Sequence, residues 1–152
     1  MAITEREARE QILEDLADAV DGLALAVACL LAAYEQLSVG PADRLEAELF
    51  RPVQKGFGRA KRTHSQFAER YGFESRQFES PSAGVKSQGV KPLVDRALVA
   101  SANASRRIAQ LQDSMLPIES GDAELRAGLT EVRDLVGDLP AAAREFLRTL
   151  GR

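Results

Sequence analysis

The sequence predicts an all-α fold: a four-helix bundle, antiparallel and running up-down-up-down, with a long connection between helices 2 and 3. Three observations carry that expectation. Apolar residues recur in four long stretches at alternating spacings of three and four, the pattern of helices that each bury one seam. Gly and Pro punctuate the chain so that two of the joins are short and one is long. Six Phe, two Tyr and no Trp leave a core made mostly of Leu, Val and Ala, which suits helix packing. The 152 residues fit one domain, residues 1–152. A domain of that size buries roughly 70% of its unfolded surface, so it needs no disulfide or metal to fold.

The first helix begins at Thr4, where Thr4 and Glu7 form a capping box. Leu13, Leu16, Val20, Leu23, Val27, Leu30, Tyr34 and Leu37 give it an unbroken heptad seam, and Gly40 and Pro41 end it and start the next. From Gly22 to Ala33 it is apolar nearly all round, more than one face needs. A homo-oligomer, a dimer first, would bury the extra face, with Leu25, Cys29 and Ala32 as the oligomer surface.

The second helix covers Pro41 to Tyr71, with Leu45, Leu49, Val53, Phe57, Ala60, His64 and Phe67 inward and Gly72 as its stop. Pro52 predicts a kink or short break near Phe50. Residues 73–91 form a connector, long for a compact domain, that Phe73 and Phe78 could pin across the bundle. A third helix runs from near Pro92 to near Met115. The fourth starts after Ser120-Gly121-Asp122 and keeps its seam through Pro140, which predicts one kinked helix, although Gly137-Asp138 could equally end one helix and cap another.

Charge is segregated along the chain. Residues 1–50 carry 3 basic and 11 acidic side chains, residues 51–107 carry 12 and 4, and the whole chain is at −3. Arg51, Lys55, Arg59 and Arg62 share a face of the second helix, opposite an acidic stripe of Glu10, Glu14, Asp18 and Asp21 on the first. An antiparallel hairpin levels Asp18 with Lys61, Asp21 with Arg59 and Glu14 with Arg62, and the same logic levels Arg106 and Arg107 with Glu131. Neutralisation between helices therefore accounts for the basic stripe better than nucleic acid does.

The most apolar stretch, Gly22 to Tyr34, is shorter than the ~20 residues that span a bilayer. The polar face of its helix is acidic, which argues against docking on anionic lipid. With no leader pattern read at the N-terminus and a single cysteine, the expected compartment is the cytoplasm.

Catalytic motifs are missing from this reading. One His and one Cys make no zinc pattern, and no Glu-x-x-His pair marks a di-metal bundle. Antiparallel packing of the second and third helices would set residue 64 level with about residue 99, leaving Met115 roughly 24 Å too far along to share a haem with His64. No cofactor or metal is expected, and Cys29 reads as a buried, inert thiol. The leading expectation is a non-catalytic interaction or structural module that self-associates and binds a protein partner. The competing one is a bundle that binds a small polar or anionic molecule. Its pocket, between helices 2 and 3, would be lined by His64, Arg59, Arg62 and Ser101, where Gly56, Gly58 and Ala60 oppose Ser101, Ala104 and Ser105; small residues on both sides allow either such a cavity or, the commoner outcome, close helix approach.

Overall fold

In the computed structural model, which describes residues 3–84 and 89–151, helices make up 81% of the described residues and no strand occurs among them. Helix α1 spans Glu5–Glu35, and Thr4 caps it by accepting the Glu7 amide at 3.0 Å. It stops short of Gly40, because the Gln36 amide turns back onto the Ala33 carbonyl and the Leu37 amide onto the Tyr34 carbonyl. Helix α2 restarts at Val39–Leu45, with Pro41 in its first turn, where an amide would have no helical partner anyway.

A π-helical turn, Glu46–Phe50, then leads into α3, Arg51–Arg70. Pro52 supplies the reason. It has no amide to offer the Glu48 carbonyl, and its ring would collide with that carbonyl in a regular helix. The wider turn, in which the Arg51 amide reaches Glu46 five residues back, relieves both problems. The interruption expected near Phe50 thus takes the form of a π turn.

Helix α4 is Val90–Asp113, and Met115 reverses the chain in a left-handed conformation (φ 70°) before the short α5, Leu116–Glu119. Asp122 caps α6, Ala123–Val136, by accepting the Leu125 amide at 2.8 Å. Gly137 and Asp138 end α6, and Pro140 lies in the first turn of α7, Leu139–Leu150. Of the two readings of that region, the structure takes the two-helix one.

Residue-level contacts give the direction of each helix. Along the α1–α4 seam Arg107 bonds Asp18 at 2.6 Å and Asp15 at 3.6 Å, while a Cβ on Gly22 would stand 3.2 Å from the Ala100 carbonyl. Along α1–α3, Arg9 lies 4.0 Å over the Tyr71 ring, and Phe57 flanks Ala24 and Ala28. Along α3–α6, Arg70 bonds Asp122 at 2.7 Å, Arg59 bonds Glu131 at 2.5 Å, Thr63 abuts Gly128 and Gly56 abuts Val136. Each pair is antiparallel. Since α3 and α4 both run opposite to α1, they run the same way as each other.

That geometry replaces the up-down-up-down expectation, and with it the idea that residue 64 lies level with residue 99 across an antiparallel pair. The physical reason is the long connection. The 19 residues between Arg70 and Val90 can reach up to about 60 Å when extended, twice the ~30 Å needed to travel back along a 20-residue helix. Phe73 lies under Arg6 at 4.6 Å, Arg76 bonds Asp21 at 3.2 Å, Phe78 meets His64 at 5.2 Å, and the Ala83 carbonyl accepts from Arg96. The crossover therefore leaves α3, passes over α1 and arrives beside α4, with Phe73 and Phe78 packed along the way.

The charge pairs change partners accordingly. Asp18 is held by Arg107 of α4 and Asp21 by Arg76 of the crossover, while Arg59 turns away to Glu131 of α6. The expected Asp18–Lys61, Asp21–Arg59 and Arg107–Glu131 matches are not formed.

The core has two parts. One gathers Ile12, Leu16, Phe67, Ile108 and Leu129. The other gathers Leu30, Leu45, Leu49, Leu93 and Phe146. Fully burying a side chain such as Phe67 or Phe146 contributes about 1.5–3 kcal/mol. By length and composition an 18-residue window of α1 would suffice to cross a membrane, although the Gly22–Tyr34 stretch alone would not; 56% of that window is buried inside the fold. Its apolarity is largely consumed as core.

Candidate functional site

The outer side of α1 carries the site. The crossover covers α1 near Arg6 and Asp21, but farther along the helix Val27, Ala28 and Ala32 are only half-buried and Leu31 is 46% exposed. Together with Ala24 and Glu35 they floor a groove of about 370 Å³, walled by Phe57 of α3 and by Ser80, Pro81 and Ala83 of the crossover. A second depression of about 220 Å³, lined by Leu31, Tyr34, Glu46 and Phe50, continues it. Leu31 belongs to both. The π turn shapes the second depression: one extra residue rotates the following side chains by about 100°, and Phe50 closes that turn half-buried.

Charges sit at the two ends of this strip. At one end Glu35, the last residue of α1, is exposed and has no ion pair among the described residues. At the other, the Lys61 ammonium stands 5.1 Å over the Phe57 ring, and Arg76 is bonded to Asp21. Among the described residues that line the groove, Glu35 is the one carboxylate and Ser80 supplies a hydroxyl. The groove's chemistry is that of apolar burial between charged rims.

The four residues expected to line a pocket do not converge. Arg59 bonds Glu131 and donates to Thr63 Oγ1 at 3.0 Å, on the α6 side of α3. Arg62 is exposed. His64 is buried under the crossover, edge-on to Phe78. Ser101 is buried on α4, which stands diagonally from α3 rather than beside it. The small residues serve close approach instead: Gly56 meets Val136, Gly22 meets Ala100 and Ala104, and Gly128 receives Thr63. Topology moved these partners, and no property of the single residues could have revealed it.

The residues expected at an oligomer surface differ in exposure. Leu25 and Ala32 are partly exposed, but Cys29 is fully buried within its own chain. Burial pushes the Cys29 thiol pKa up, against a smaller opposing effect of Arg96. Leu31, Phe57 and the crossover wall were missed. Leu31 lies one position off the heptad seam, a signal that periodicity alone could have flagged; the wall has none.

His64 has its own electrostatics. Its Nδ1 is buried with no hydrogen-bond partner among the described residues, while the ring's other nitrogen faces the Leu13 carbonyl. Burial, then the nearby Arg76 charge, push its pKa down, with the Leu13 carbonyl and Asp21 pulling the other way. The ring is held neutral as part of the core. Among the described residues no three His, Cys, Asp or Glu side chains are gathered as metal ligands. Comparison with protein-family models, with curated proteins and with solved structures gives no match for this chain.

Proposed function

We propose that the chain is a non-catalytic interaction module of the cytoplasm, a closed four-helix bundle that self-associates through the groove on α1. In this reading α2–α3 and α6–α7 each act as one interrupted helix, and the bundle runs up-down-down-up around its long crossover. The observation that carries the function is Leu31, 46% exposed between two contiguous apolar depressions. An apolar strip of this kind, rimmed by polar residues, marks an association surface. A second copy of the chain is the occupant, because the strip ends in opposite charges, Glu35 and Lys61, that form no ion pair among the described residues. The buried lone thiol is compatible with a reducing compartment.

Native mass spectrometry over a concentration series tests this. The expected result is a species at twice the 16.5 kDa chain mass that grows with concentration, and its loss in Leu31→Glu, whose position is open enough to leave the fold intact. A chain that stays at 16.5 kDa at every concentration overturns the reading.

A further inference from the structure

The same strip says how two copies meet, an inference that rests on the self-association proposed above. The outer stripe of α1 reads Asp21, Leu25, Ala28, Ala32 and Glu35, a second heptad seam with spacings 4, 3, 4 and 3. Its three apolar members are half-buried, which is what remains after the chain's own helices and crossover have packed. The two alanines allow another helix to approach closely, and Leu31 beside them is a projecting side chain that the chain itself does not cover.

Charge then discriminates between orientations. In a parallel pair Glu35 would meet the other copy's Glu35, with Glu46 of both close by. In an antiparallel pair crossing at Ala28, Glu35 of each copy reaches the level of residue 21 on the other. Asp21 there is already neutralised by Arg76 at 3.2 Å, and Glu79 lines the neighbouring depression rather than the groove. Lys61, over Phe57 at the groove wall, is a cation placed to receive Glu35 and forms no ion pair among the described residues. The same crossing seats each Leu31 against the other copy's Leu25.

We infer that two copies of this chain pair through an antiparallel, two-fold α1–α1 contact centred on Ala28, with Glu35 of each facing Lys61 of the other. A two-fold interface repeats every contact, so a charge reversal acts twice. Glu35→Lys alone and Lys61→Glu alone should each self-associate about tenfold more weakly than wild type. An equimolar mixture of the two restores both attractive pairs and should form a heterodimer at least as tight as the wild-type dimer. Sedimentation velocity of the full-length proteins, with circular dichroism to verify helix content, reads all three. Recovery in the mixture supports the antiparallel register. Wild-type dimers whose variants associate like wild type, or whose mixture is no tighter than either variant alone, overturn the register while leaving self-association standing. A wild-type monomer throughout removes both.

Discussion

Replacing Gly128 with Ala probes the point where α3 and α6 press together. A Cβ at Gly128 would lie 2.8 Å from Thr63 Cγ2 and 3.1 Å from Thr63 Cβ, with Oγ1 nearer still. Carbon atoms are comfortable at about 3.5–4.0 Å. Thr63 is badly placed to retreat: it is buried and stiff at χ1, and its hydroxyl donates to the Arg59 carbonyl at 2.8 Å and accepts from the Arg59 guanidinium at 3.0 Å. Overpacking of this depth costs about 3 kcal/mol, the upper end of the usual range. The helical preference of Ala over Gly offsets about 1 kcal/mol. The net loss is about 2 kcal/mol, or roughly 4–8 °C in Tm for a domain of this size.

Urea unfolding followed at 222 nm measures it, with Gly58→Ala as the control. Beyond its own helix backbone, an added Cβ at Gly58 meets none of the described residues within 4 Å, so that variant should gain up to about 1 kcal/mol. In a Thr63→Ala background, where Oγ1 and Cγ2 are gone, Gly128→Ala should cost close to nothing, a coupling of about 2 kcal/mol. If Gly128→Ala stabilises the wild type as Gly58→Ala does, the α3–α6 contact is wrong, and the helix order deduced from it falls.

Three further outcomes follow from single sites. Burial alone would raise the Asp122 pKa, but the bonds from Arg70, the Leu125 amide and Tyr71 outweigh it and hold the carboxyl below its ordinary value of 3.8. A lowered carboxylate stabilises the fold fully above that ordinary value and loses its contribution as pH falls through the folded one. Asp122→Ala should therefore cost about 1–3 kcal/mol near neutrality, and the gap to wild type in urea melts should close below about pH 4; a gap that is constant with pH contradicts the assignment. His64 has the opposite chemistry and the same sign. The unfolded chain binds a proton near 6.5 that the folded chain resists, so stability falls as pH drops below about 7 and flattens past the folded value. NMR titration of the single imidazole should give a midpoint under 6.5, and a midpoint at or above it would falsify the buried-neutral assignment. Cys29, fully buried, should react with a thiol reagent only as fast as the chain opens, so rapid labelling of the native protein would place the thiol outside the core.

Helices were legible in the sequence because caps, breakers and seams are local. Thr4 and Asp122 behave as caps, Pro52 forces a disturbance just before itself, and the seam residues Leu16, Leu23 and Leu30 are buried. Helix order was not legible. A heptad seam says that a face is covered and is silent about which helix covers it. Asp18 and Asp21 suit Lys61 and Arg59 on paper as well as they suit Arg107 and Arg76, and only the crossover decides between them. The glycines repeat the lesson: Gly56 announces a close approach, but the approaching side chain is Val136 rather than Ser105. At the candidate site Leu25 and Ala32 could be placed on the outer stripe, whereas Cys29 sits about 100° round the helix from Ala28 and faces inward.

The all-round apolarity of α1 has two causes that the sequence merges into one. Part of it is met by the chain itself, because α3, α4 and the crossover all pack on this helix. Had residues 71–89 been a short turn between neighbours, the outer side of α1 would lie open along its length, and a large apolar face would be left for another molecule. The crossover instead anchors over Arg6, Asp21 and His64 through Phe73, Arg76 and Phe78, then veers to Ala83 beside Arg96. What it leaves uncovered is the stretch around Ala28 and Leu31, and its own Ser80, Pro81 and Ala83 become the wall of the groove there. The proposed association surface is therefore smaller than sequence apolarity implies and more sharply bounded, with charged groups marking both ends. A surface of that kind favours one register over sliding alternatives, because displacement along α1 would bury Glu35 against apolar side chains or leave Leu31 in water.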